Sequence, residues 1–147
     1  MEKIKQTTGR ILGVDFGDTR TGLAISDDSR FLASGIGYIS PGGIAKTADE
    51  VARIASEKSI SAIVVGLPIN MDGSKGPRAA RVEEFASMLA ERLPSTPIAL
   101  FDERMSTMVA SRYLNETNTR GNKRKGVIDT LSAEIILQNV LDKLKFL

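Results

Sequence analysis

The sequence predicts an α/β domain on a five-stranded mixed sheet, three antiparallel strands followed by parallel ones, flanked by helices. Three observations carry this expectation. The first forty residues alternate and turn on glycines, residues 60–66 are β-branched and nearly free of charge, and the stretches between such runs repeat their apolar residues with helical period.

In order, residues 10–16, 21–27 and 31–40 are expected as a meander, joined by Gly17-Asp18-Thr19-Arg20 and Asp27-Asp28-Ser29 turns. Pro41-Gly42-Gly43 ends it. Ile44, Ala48, Val51, Ile54 and Ala55 then fall on one stripe of a first helix. Ile60-Ser61-Ala62-Ile63-Val64-Val65-Gly66 has the composition of a central parallel strand covered on both faces. Pro77 suits the first position of a second helix, with Val82, Phe85, Ala86, Leu89 and Leu93 spaced for burial. Residues 98–101 form a short strand, 106–114 a third helix, 115–126 an exposed loop without large apolar residues, and 129–145 a final helix. Right-handed crossovers place the fourth and fifth strands parallel to the first. At 147 residues, with no repeat or linker, the chain is expected to be one domain.

Composition narrows the chemistry. There is no Cys and no His, so a disulfide framework, a thiol nucleophile, an imidazole base and the common zinc sites are all excluded. Catalysis must rest on carboxylates, Lys, hydroxyls or an oxygen-held metal. The opening residues, with Lys3, Lys5, Gln6, Thr7 and Thr8, lack a signal peptide's apolar run, and no segment approaches the ~18 apolar residues of a membrane span. A cytoplasmic protein without membrane contact is expected.

Three acids stand out. Asp15 lies near the end of the first strand, on the face shared by Ile11 and Gly13, where Asp is disfavoured; a turn-capping role for it is the plainer alternative. On a helix, Ala133, Ile136, Val140 and Leu144 lie within about 60° of Asp129, which puts its carboxylate on the core-facing stripe unless it is simply an N-cap. Asp102-Glu103-Arg104 follows the fifth strand at the edge where open α/β sheets place ligands; alternation lets one acid of the pair point inward, and a solvated surface pair is the alternative. Gathered at one end of the sheet, carboxylates suit Mg²⁺ or Mn²⁺, hard cations that support phosphodiester cleavage without His or Cys.

Two polar segments suit a phosphate backbone. Arg120, Lys123, Arg124 and Lys125 place four cations in six residues just before Asp129. Asn70-Met71-Asp72-Gly73-Ser74-Lys75-Gly76-Pro77 opens a helix whose amide end suits a phosphate, with Ser74 and Lys75 assisting. A solvated loop and an ordinary Asp-Gly turn are the alternatives. The net charge is only +2, so affinity has to come from local patches.

Gly13-Val14-Asp15-Phe16-Gly17, Val65-Gly66-Leu67-Pro68 with Asn70-Met71-Asp72-Gly73-Ser74, Asp102-Glu103-Arg104-Met105-Ser106-Thr107, and Ile128-Asp129 leading to Ile136-Leu137-Gln138 together resemble the YqgF/RuvX family over nearly the whole chain. The resemblance implies a three-layer ribonuclease H-like fold and a nuclease that matures the 5′ end of the small-subunit ribosomal RNA precursor or resolves Holliday junctions. It implies Asp15, Glu103 and Asp129 as catalytic metal ligands, and substrate contacts from Arg104 and the basic cluster. Ser132 stands where the family usually has alanine. A non-catalytic RNA-binding assembly factor is the competing class, and Asp15-Phe16-Gly17-Asp18-Thr19 also looks like the first phosphate loop of sugar kinases, which bind nucleotide between two such domains. The expected partner is nucleic acid, structured RNA or branched DNA, for a monomer or homodimer.

Overall fold

The computed structural model describes residues 1–102 and 121–146, with the backbone alone for 121–125. The elements are α1 (Glu2–Lys5), β1 (Ile11–Asp15), β2 (Thr21–Ser26), β3 (Ala33–Ile39), α2 (Ile44–Glu57), β4 (Ala62–Leu67), α3 (Pro77–Arg92), β5 (Ile98–Asp102) and α4 (Gly121–Leu144). The five strands form one sheet in the order β3-β2-β1-β4-β5. β1 pairs antiparallel with β2 and parallel with β4, and β4 pairs parallel with β5, as the crossover rule requires.

Alternation divides the core in two. Leu12, Val14 and Phe16 face α2 and α3, where they meet Val51, Ile63, Val65, Val82, Phe85 and Leu89. Ile11, Ala24, Ala62 and Val64 face α4 and its Ala133, Ile136, Leu137, Val140 and Leu141. A sheet covered on both sides explains why every residue of β1 and β4 is buried. Among the described residues no helix is long and apolar enough to cross a membrane.

Two features depart from the sequence expectations. The N-terminal stretch forms α1, whose Ile4 is 1% exposed and joins the α4 core. A single apolar residue among charged ones carries no periodicity, so the element is silent in the sequence. Replacing Ile4 by Ala is expected to cost about 2–3 kcal/mol in a urea titration. Lys3→Ala, on an exposed residue of the same helix, should stay within ~0.5 kcal/mol.

The second departure is at α4, which begins at Gly121, so residues 121–126 are helical and not the exposed loop expected from their lack of large apolar groups. Gly126 is buried, and a Cβ there would lie 2.7 Å from the Tyr38 ring. Once a helix is nucleated by its packed turns it propagates into polar sequence, one hydrogen bond per residue. The expected helix at 106–114 and the loop at 115–120 lie outside the described residues.

α4 rests directly on backbone. A Cβ on Gly13 of β1 would lie 2.8 Å from Leu137 Cβ, on Gly22 of β2 1.9 Å from the Asp129 carbonyl oxygen, and on Gly35 of β3 2.6 Å from Thr130 Cγ2. The three glycines lie on three adjacent strands and let the helix axis approach closer than any side chain would permit.

Candidate functional site

Because β1, β4 and β5 are parallel, their C-terminal ends share one edge of the sheet. The β1–β4 register reaches Val14↔Val65, and the β4–β5 register reaches Gly66↔Phe101 and Leu67↔Asp102. Asp15, the last residue of β1, is 6% exposed and has the parity of Ile11 and Gly13, both packed under α4. Its carboxylate therefore belongs to the α4 face.

α4 brings the second acid to the same place. Gly22 is the cross-strand partner of Asp15, and the Asp129 carbonyl lies against Gly22. Cross-strand partners are only ~4.5–5.5 Å apart at Cα, so Asp129 is a near neighbour of Asp15 despite a separation of 114 positions (129 minus 15). Asp129 lies eight residues after the start of α4, which excludes the N-cap alternative. Ala133, Ile136, Val140 and Leu144 are all buried, as the stripe predicted.

Arg20, from the β1–β2 turn, donates Nε–H to Asp129 Oδ2 at 3.0 Å, with both side chains 24% exposed. Burial pushes the Asp129 carboxyl above the usual carboxylate range, against the opposing pull of Arg20 and, further off, Arg78. Ser132, one turn along α4, is fully buried, and its hydroxyl has no hydrogen-bond partner among the described residues. It lies one helical turn from Asp129, and a buried oxygen of this kind calls for a polar partner.

Of the other expected residues, Glu103 and Arg104 lie outside the described residues, as do the side chains of Lys123, Arg124 and Lys125, whose backbone opens α4. Asp102 is exposed and has the parity of Ile98, which packs on the α2–α3 side, so it does not share the Asp15 face. Ser74 and Lys75 are exposed in the loop between β4 and α3. Ser74 Oγ donates to Asp72 Oδ1 at 2.6 Å and Lys75 pairs with Glu83 at 3.3 Å, the internal bonding of a self-contained turn. Arg20 and Arg78 escaped the sequence reading, because a charge in a turn looks like any solvated charge until its partner is known.

The donor types fit a hard divalent cation: two acidic residues, with no Cys or His anywhere in the chain to compete for it. Among the described residues no third acid joins Asp15 and Asp129.

A family model described as RuvX, Holliday junction resolvase, matches residues 9–143. The chain belongs to the RuvX family. This RuvX chain is 43% identical over 136 residues to a protein of Ruminiclostridium cellulolyticum named "Putative pre-16S rRNA nuclease", covering 92% of this chain and 95% of the relative. A relative of the same name from Paracoccus denitrificans is 42% identical over 140 residues, covering 95% and 88%. Among solved structures, Thermus thermophilus RuvC in complex with a Holliday junction substrate matches with a TM-score of 0.58 at 12% identity, covering 92% of this chain and 94% of RuvC. The fowlpox virus resolvase with its Holliday junction matches with a TM-score of 0.55 at 11% identity, covering 92% and 98%. The fold is thus the RuvC-like ribonuclease H fold, and the RuvX family is a family of nucleases.

Proposed function

We propose that this RuvX chain is a divalent-metal-dependent endonuclease that cleaves structured RNA, trimming the 5′ end of the small-subunit ribosomal RNA precursor. The observation that carries the reading is the seating of Asp129 over Gly22, directly across from Asp15. That contact supports the reading by making neighbours of two acidic residues far apart in sequence, at the sheet edge where β4 and β5 also end. Glu103 is proposed as the third ligand, as the family resemblance implies; it follows β5, whose Ala99 and Phe101 pack toward α4.

When bound, Mg²⁺ or Mn²⁺ would supply Lewis-acid stabilisation of a phosphodiester and a water of lowered pKa. The protein's own part is to hold oxygen donors in place on a strand and a helix, both rigid. Arg20 keeps the Asp129 carboxylate oriented and partly neutralised until a cation arrives. The family description supports a four-way DNA junction as the second substrate.

The discriminating assay compares ribosomal RNA precursor with a four-way junction, each with and without Mn²⁺. Metal-dependent cleavage of the precursor near its 5′ end is expected. Cleavage of the junction alone would transfer the reading to DNA, and RNA binding with no cleavage of either would leave an assembly factor.

Arg20 gives a second check. Without it, the half-buried Asp129 carboxylate loses its charged hydrogen bond, so Arg20→Ala should destabilise the metal-free protein by about 1.5–3 kcal/mol. Mg²⁺ should then raise the melting temperature more in the variant than in the parent. An equal rise in both would show that guanidinium and metal do not share Asp129.

A further inference from the structure

The opposite end of the sheet carries a cavity of about 350 Å³ that the nuclease reading leaves unused, walled in part by Lys5, Thr7, Arg30, Phe31, Leu144 and Lys145. Arg30 enters it from an αL backbone, φ 62°, a conformation seldom adopted by a residue with a side chain. Its guanidinium donates to the Gly9 carbonyl at 2.7 Å, the Ile4 carbonyl at 3.0 Å and Thr7 Oγ1 at 2.7 Å. All three acceptors are neutral, and among the described residues no carboxylate pairs with it. A cation is thus clamped in the wall with its charge uncompensated. Lys5 adds another, its ammonium donating to the Leu144 carbonyl at 3.4 Å and, among the described residues, meeting no carboxylate.

The rim is aromatic, and its exposure is built in. Asp27 Oδ1 accepts the backbone N–H of Phe31 at 2.8 Å and of Leu32 at 3.1 Å, while Gln138 Nε2 donates to the Phe31 carbonyl at 3.0 Å. The backbone of Phe31 is held from both sides, yet the residue is 64% exposed, with the Nζ of Lys145, which also meets Asp142 at 3.6 Å, 5.0 Å from the ring centroid. The acid in the wall, Asp28, is met by Arg10 at 3.8 Å.

An exposed ring on a held backbone, in a cavity wall that also carries Arg30 and Lys5, is the chemistry of single-strand binding, in which a base stacks and a phosphate is held by charge. We propose that this end binds a single-stranded stretch of the nucleic-acid substrate, with a base on Phe31 and a phosphate against Arg30 and Lys5. The proposal rests on the nuclease reading for its choice of ligand. Gly9 to Asp15 is six residues of extended chain, about 20 Å, so one strand could reach both places. It would require no more than the ~4–16 nucleotides that single-strand modules track.

The test is fluorescence anisotropy of an oligouridylate of roughly a dozen nucleotides, titrated with the full chain in EDTA. Phe31→Ala should weaken binding about tenfold, and Phe31→Tyr should restore it. Combined Lys5→Glu and Lys145→Glu should flatten the salt dependence by about one unit of slope. Lys46→Glu, the same reversal at a single exposed lysine of α2, should do neither. In cleavage, Phe31→Ala should raise KM for a tailed substrate and leave kcat unchanged. Binding that ignores both Phe31 and the two lysines, or a parent protein that cleaves RNA yet does not bind the oligomer, would overturn the proposal without touching the nuclease reading. Phe31-dependent binding by a protein that cleaves nothing would overturn the nuclease reading and leave this surface standing.

Discussion

Asp129→Asn is expected to reduce metal-dependent cleavage by roughly a thousandfold or more while the protein stays folded. Metal-borne charge stabilisation is worth several kcal/mol in the transition state, and each 1.36 kcal/mol is about tenfold in rate. The amide keeps the shape of the side chain and an oxygen for Arg20 Nε–H, but it is a poor ligand for a hard cation. Losing the ion pair is offset by no longer holding a charge in a half-buried place, where burial already disfavours it. A melting temperature within a few degrees of the parent is therefore expected alongside the lost activity. Asp15→Asn should behave alike. Full cleavage by either variant would show that the carboxylates serve the fold and not the chemistry.

Gly22→Ala should damage both stability and activity. The new methyl would lie 1.9 Å from the Asp129 carbonyl oxygen and 2.3 Å from its carbon. Ordinary contact is ~3.5–4 Å, so α4 would have to retreat by more than about 1 Å, and the obstacle is helix backbone, which cannot rotate aside. Overpacking of this kind costs typically about 1–3 kcal/mol. Displacement of a ligand by ~1 Å costs on the order of a hundredfold in rate. Gly35→Ala meets the Thr130 methyl at 2.6 Å, a side-chain atom with freedom to turn, and should be the milder change. Chemical denaturation and cleavage of the same two variants would check the ranking, and an innocuous Gly22→Ala would remove the reason for the glycine.

Much of this architecture is legible in residue order because local rules and the global fold agree. The β1 alternation placed Leu12 and Val14 opposite Ile11 and Asp15, and the two cores divide along that line. The 3.6-residue period turned Asp129 inward with Ala133 and Ile136, both fully buried. What local rules could not supply is contact across distance. Arg20 finds Asp129 109 positions away, and nothing in a Gly-Asp-Thr-Arg turn announces it. Gly13, Gly22 and Gly35 read as turn-rich composition, although glycine inside a strand is itself a sign of close backbone approach. The N-cap and inward readings of Asp129 were indistinguishable until the helix start was known, since helix boundaries are the least local feature of all. For Glu103 the expectation rests on family resemblance and on alternation in the sequence at the end of the fifth strand, and for Arg104 on resemblance alone.

The most direct measurement is an anomalous difference map from crystals of the full chain grown with Mn²⁺. A peak bonded to carboxylate oxygens of both Asp15 and Asp129, at about 2.0–2.2 Å, with the Arg20 guanidinium drawn off Asp129, is the expected result. A map with Arg20 still bonded to Asp129 and no density between the two acids, at a Mn²⁺ concentration that supports cleavage, would contradict it.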